Sequence, residues 1–367
     1  MYLKILLKII SDNFEMKRNG EIDILRFIFA ICIMGIHFEV LGNNLFPNAY
    51  IGVEFFFLLI GYFMAKRFSK NMLYEISSIP EISLRYIFSK VGRIYQYFLV
   101  AFSTNIVIQA VMNHWSVRMT LANTIRSLPD LSFTHLVLKT DDRLYITGSW
   151  FLSAMFISMM IVCPLYLLLR NWSSKVVFPI SAIMIWGYIL RGFNYQLTEV
   201  WGGYPPCGIL RGIAAIGLGT TVFEVSEWIK YFARKNISLW QKILLTLIKY
   251  ICWFLIIGYD MGMFLRKSDY DVHAELILII GIILTLSNIT YCIGGNRMTL
   301  YLGKIAFPLY MAHGIVISVM KFYFGDMVSN KILLAGYAAS VILAIILKEM
   351  VDVIITVIRK VRDKEGV

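Results

Sequence analysis

The chain has 367 residues, of which 59% are hydrophobic and 16% charged, and its mean hydropathy is +0.70. A soluble domain of this length could not cover so much apolar side chain with polar surface, so composition excludes a soluble globular protein and points to a polytopic membrane protein. The formal net charge of +12 raises nucleic acid as a partner, but the basic residues are spread over many short segments; they read as a topology signal and as contacts with the lipid bilayer, and no nucleic acid is expected.

Residues 1–15 alternate Lys with Leu and Ile, the pattern of a short interfacial helix. No cleavage site of small residues follows, so a signal peptide is not expected, and Met16 is a second candidate start. Apolar stretches near the ~20 residues that cross a hydrocarbon core then occur at 22–41, 47–65, 94–113, 149–170, 174–191, 206–224, 241–260, 274–293, 303–324 and 332–350. The expected fold is all-α, an integral membrane bundle of about ten transmembrane helices. The expected division is an N-terminal segment 1–20, a transmembrane domain 21–350 and a basic tail 351–367.

Lys and Arg concentrate in alternate connections, among them Lys66, Arg67, Lys70, Arg85, Lys90 and Arg93 after the second stretch and Lys230, Arg234, Lys235 and Lys242 after the sixth. The positive-inside bias therefore predicts that both termini are cytoplasmic. The connection 114–148 is the longest on the opposite side and carries His114, Trp115, Asp130, His135, Asp141, Asp142 and Arg143. Such a segment serves either as a recognition surface or as a solvated connector. Cys32, Cys163, Cys207, Cys252 and Cys292 are scattered without CxxC spacing, so no metal site is expected.

The first stretch opens with Glu21-Ile-Asp-Ile-Leu-Arg26 and reaches His37 after ten further residues. Eleven helical steps bring His37 to about 20° from Arg26 and roughly 16 Å along the same face. A cation and an imidazole thus share one membrane helix, where ionisable groups are a functional hypothesis by default. Asp23 stands at i, i+3 to Arg26 and is its candidate ion-pair partner.

Four segments in order carry a family resemblance: Glu21 through His37; Ile51-Gly-Val-Glu-Phe-Phe-Phe-Leu-Leu-Ile-Gly-Tyr62, in which Ile60 stands where Ser is usual; Arg93-Ile-Tyr95; and Tyr301-Leu-Gly-Lys-Ile-Ala-Phe-Pro-Leu-Tyr-Met-Ala-His313. Trp150-Phe-Leu-Ser153 adds a fifth, although Ala154 and Met155 follow where a Glu is common. Together the segments resemble the membrane acyltransferase 3 family, which acylates cell-envelope carbohydrates and other acceptors. The resemblance implies a multi-pass enzyme of a bacterial cytoplasmic membrane, with acyl-CoA, usually acetyl-CoA, as cytoplasmic co-substrate, no bound cofactor, and a sugar hydroxyl as acceptor. Oligomeric state is left open.

Acyl transfer from a thioester to a hydroxyl needs a group that takes the hydroxyl proton and a donor for the developing oxyanion. His37 is the candidate base or acyl-accepting nucleophile. Glu54, level with it at the outer end of the second stretch, is the candidate orienter of the imidazole or a plain helix N-terminal acid. Arg26, and Arg93 at the start of the third span, are candidates for the donor phosphates, since a guanidinium grips phosphate with paired hydrogen bonds. Arg211 is a buried cation in need of a partner, either the acceptor or a structural acid, and Trp150 and His313 are further cavity candidates. The competing reading is a transporter or flippase of polysaccharide or lipid precursors, which would also use buried charges.

Overall fold

A computed structural model describes residues 19–42, 45–69, 74–138, 148–192, 200–233, 237–263, 271–326 and 328–365. They form helices α1 (Gly20–His37), α2 (Ile51–Phe68), α3 (Ile79–Met112), α4 (Val117–Arg126), α5 (Leu128–Leu131), α6 (His135–Leu138), α7 (Trp150–Leu169), α8 (Phe178–Gly187), α9 (Cys207–Ala233), α10 (Leu239–Asp260), α11 (Asp271–Leu286), α12 (Arg297–Phe324) and α13 (Asn330–Glu365). Among the described residues there is no strand, only an isolated bridge between Asn19 and Gly294.

Seven of the helical segments are long and apolar enough to cross a membrane: α1 with the short turn after it, α3, α7, α8 with its flanking π turns, α9, α10 and α12. Helix α2 carries Glu54, Lys66 and Arg67, and α11 is shorter. The outward faces stay apolar, with Ile183, Met184, Phe254 and Leu247 more than half exposed. Several charges lie inside the bundle instead, among them Glu21, Asp23, Glu54, Arg211, Lys249 and Asp260, which is the inverse of a soluble core and fits a lipid-facing exterior.

Local sequence explains the helix starts. Asn19 caps α1 by accepting from the backbone N–H of Glu21 at 3.0 Å and Ile22 at 3.2 Å, and Glu21 and Asp23 place negative charge at the positive end of the helix dipole. Capping boxes start α10 at Ser238 and Gln241 and α12 at Asn296 and Thr299.

Two helix pairs position the site. Helices α2 and α9 pack closely because both crossing residues are glycine: a Cβ on Gly61 would lie 1.9 Å from the Ile216 carbonyl oxygen, and one on Gly219 2.2 Å from that of Leu58. Helices α1 and α12 make the second pair, with Asp23 against Gly303 near one end and His37 beside His313 at the other. In each pair the order of contacts shows that the helices run parallel.

Helices α3 and α13 extend past the apolar runs. Arg93, expected at the start of the third span, lies in the interior of α3, which begins at Ile79 with Pro80 in its first turn. Residues 351–365, expected as a tail, continue α13. Helix formation needs no apolarity, so the helices continue where the hydropathy signal stops. The connection after α3 is likewise helical, in α4, α5 and α6, and docks on α7 through the Leu136 N–H and the Ser153 hydroxyl at 3.3 Å. Lys139, Asp141, Asp142, Arg143 and Tyr145 lie outside the described residues.

Candidate active site

Helix α1 brings Asp23 and Arg26 to one end of a cavity of about 820 Å³ enclosed chiefly by α1, α2, α3, α7 and α12. The Arg26 guanidinium lies 3.7 Å from the Asp23 carboxylate, the expected i, i+3 pair. Asp23 is buried against α12 at Gly303, where an added Cβ would come within 2.3 Å of its Oδ1. Lys66 from α2 and Lys90 and Arg93 from α3 line the same cavity, and Lys90 lies within electrostatic reach of Arg26, Arg67 and Arg93. One end is therefore strongly cationic. Phe56, Ile33, Phe151, Met155 and Tyr310 make the rest of the wall largely apolar.

Tyr310 leads from this wall to the histidines. Its hydroxyl donates to the Gly148 carbonyl at 2.5 Å, and its ring centroid is 5.6 Å from that of His313. His313 is fully buried, and neither of its ring nitrogens has a side-chain hydrogen-bond partner among the described residues. It stacks on His37, with centroids 5.1 Å apart and planes inclined by 22°. His37 is the last residue of α1 and half-buried, so of the two imidazoles it is the more exposed, although neither lines the cavity itself.

Glu54, expected as the orienter of His37, is paired with Arg211 instead. Its Oε1 accepts from Arg211 Nε at 2.7 Å, with side-chain exposures of 5% and 1%. The physical reason is register. Helices α2 and α9 run parallel through the Gly61 and Gly219 crossing, and about two turns away this places an acid of one helix opposite a cation of the other. The Arg211 guanidinium also lies over the Trp150 ring, 5.5 Å from its centroid. Its expected partner is thus a structural acid and an aromatic face. None of these residues lines the cavity directly, but Val53 and Phe56 beside Glu54, and Phe151 beside Trp150, do.

Sequence reasoning passed over Lys249. It lies fully buried in α10, donates to Glu21 Oε2 at 2.7 Å and to the Tyr291 carbonyl at 2.6 Å, and so anchors the first turn of α1. A lone Lys inside the apolar run 243–258 was the available signal. Lys66 and Lys90, which the sequence presents as topology charges, line the cavity. Asp260 is buried at the end of α10 beside Cys32, a contact that its local sequence does not mark. Among the described residues no group of three or more His, Cys, Asp or Glu side chains could hold a metal ion.

A family model described as an acyltransferase domain matches residues 19–349. No curated protein and no solved structure matches the chain. With the match running over nearly its whole length, this multi-pass membrane protein belongs to the acyltransferase 3 family.

Proposed function

We propose that the protein is a membrane O-acyltransferase that moves an acyl group, acetyl in the first instance, from cytoplasmic acyl-CoA to a hydroxyl of an extracytoplasmic envelope or exopolysaccharide sugar. The observation that carries this reading is the cavity itself, cationic at Arg26, Lys66, Lys90 and Arg93 and apolar toward Tyr310, with the His37 and His313 stack next to its inner wall. The cationic end suits the donor's phosphates and the apolar length suits its pantetheine arm. In this topology about ten spans cross the membrane, both termini are cytoplasmic, and His37 lies toward the outside.

In the reaction, His37 accepts the proton of the acceptor hydroxyl as that oxygen attacks the thioester carbonyl carbon. The carbon–sulfur bond then breaks, and the thiolate of CoA takes the proton back from the imidazolium. His313, stacked on His37, positions the ring. Proton transfer of this kind contributes about 10²–10⁴-fold in rate.

Inside-out membrane vesicles given radiolabelled acetyl-CoA test the proposal. Label in a lumenal, base-labile carbohydrate ester with wild type, and its absence with His37→Ala at matched expression, is the expected result. If wild type moves no label from acetyl-CoA or any longer acyl-CoA, the reading as a conduit for polysaccharide or lipid precursors replaces it.

A further inference from the structure

The ion pair between Glu54 and Arg211 is incomplete in a way that points to a ligand. Both side chains are more than nine-tenths buried, yet Glu54 Oε2 and Arg211 Nη2 have no hydrogen-bond partner among the described residues. Arginine carries five N–H donors in a rigid fork, and a donor buried without an acceptor is costly. A structural ion pair packed for stability alone would close both ends of the fork. Here Arg211 Nε is spent on Glu54 at 2.7 Å and one face is covered by Trp150 at 5.5 Å.

The open donor lies just behind the cavity wall that the acyl group would reach. Val53 and Phe56 flank Glu54 on α2, Phe151 follows Trp150 on α7, and all three line the cavity. Arg211 is also within electrostatic reach of Tyr310, which forms part of the wall and contacts His313. A rigid, precharged donor in a dry site is what a developing oxyanion requires.

Resting on the acyl-transfer reading above, we infer that Arg211 is a catalytic residue whose Nη2–H receives the acyl carbonyl oxygen, with Glu54 as the residue that positions the guanidinium. As the acceptor oxygen bonds to the carbonyl carbon, the π pair of the C=O moves onto oxygen and the hydroxyl proton passes to His37. Arg211 holds that oxyanion. When the C=O re-forms, the electron pair of the broken carbon–sulfur bond leaves on the thiolate of CoA, which takes the proton from His37. Arg211 gains and loses no proton in the cycle.

The test compares kcat and donor KM of purified wild type, Arg211→Lys and Glu54→Gln in detergent or nanodiscs, using acetyl-CoA, together with binding of a thioether analogue of acetyl-CoA that cannot react. Arg211→Lys keeps the charge and can still pair with Glu54, but it offers no fixed second N–H. The expected result is a kcat loss of ~10²–10³-fold, the usual effect of removing one oxyanion donor, with donor KM and analogue binding unchanged. Lys restoring kcat to within about threefold of wild type would assign Arg211 to structure alone and overturn the inference.

Glu54→Gln is isosteric and keeps an acceptor for Nε, so it serves if Arg211→Lys fails to assemble. A kcat loss of about tenfold or more at constant donor KM supports positioning by Glu54, and unchanged kcat refutes it. Wild type that turns over no acyl-CoA at all would fail the acyl-transfer reading instead, which separates the two.

Discussion

His37 and His313 stack face to face with ring centroids 5.1 Å apart, although one ends the first helix and the other sits in the middle of the penultimate one. The parallel packing of α1 on α12 makes this contact. Residues that act as a unit show strongly non-additive losses. His37→Ala is expected to lower acetyl transfer by about 10²–10⁴-fold, His313→Ala by less, and the double variant no further than His37→Ala alone. Initial rates of the three variants at matched expression check this; additive losses would show that the two rings act separately.

The basic end of the cavity sets the expectation for donor use. Arg26→Ala, Lys66→Gln, Lys90→Gln and Arg93→Gln should each raise the donor KM by about tenfold, near the value of one hydrogen bond to a charged group, while leaving the acceptor KM in place. Comparing acetyl-CoA with its 3′-dephospho form across the four variants identifies which residue meets that phosphate. The variant that no longer distinguishes the two donors is the one in contact. If all four keep wild-type donor KM, the cations serve topology and not binding.

Part of this site was legible in the sequence and part was not, and the difference is one of range. Hydropathy and helical period are local, so each of the ten apolar stretches overlaps a helix, although 274–293 runs past the end of α11, and Arg26 and His37 fall on the same one. Asp23 and Arg26 stand three positions apart, and their pair is legible for the same reason. In sequence Glu54 matches His37 because both stand near the short connection between α1 and α2. Its real partner, Arg211, depends on how α2 and α9 cross at Gly61 and Gly219, and no local pattern reports that register. Lys66 and Lys90 were misplaced differently: their helices continue beyond the apolar runs, so charges counted with a connection turn out to line the cavity.

The glycine crossing gives a prediction of its own. Gly61→Ala would put a methyl 1.9 Å from the Ile216 carbonyl oxygen, backbone that cannot move as a side chain end can. Forced overpacking of this kind costs about 1–3 kcal/mol, and the shift would also separate Glu54 from Arg211. The expected outcome is a lowered Tm in detergent together with a loss of kcat. Gly92→Ala, with nothing within 4 Å of the added Cβ, is the control: it should leave kcat unchanged and keep or slightly raise Tm, since Ala is the better helix former. Equal Tm for the two variants would show that α2 and α9 do not depend on this close approach.

Lys249 and Glu21 supply the last expectation. The pair is buried between α10 and the first turn of α1, two residues before Asp23, so it fixes the helix end that presents Asp23 and Arg26 to the cavity. Removing one partner leaves the other charge buried and uncompensated, a loss of about 3–5 kcal/mol, whereas replacing both by apolar or neutral groups is often close to neutral. Lys249→Met is therefore expected to lower Tm and raise the donor KM. Adding Glu21→Gln should recover most of the stability, because no bare carboxylate remains. The donor KM should stay raised in the double variant if the pair orients α1 as well as neutralising charge. Thermal unfolding and donor titration of the two single variants and the double variant measure both effects, and full recovery of KM along with Tm would limit the pair to a stabilising role.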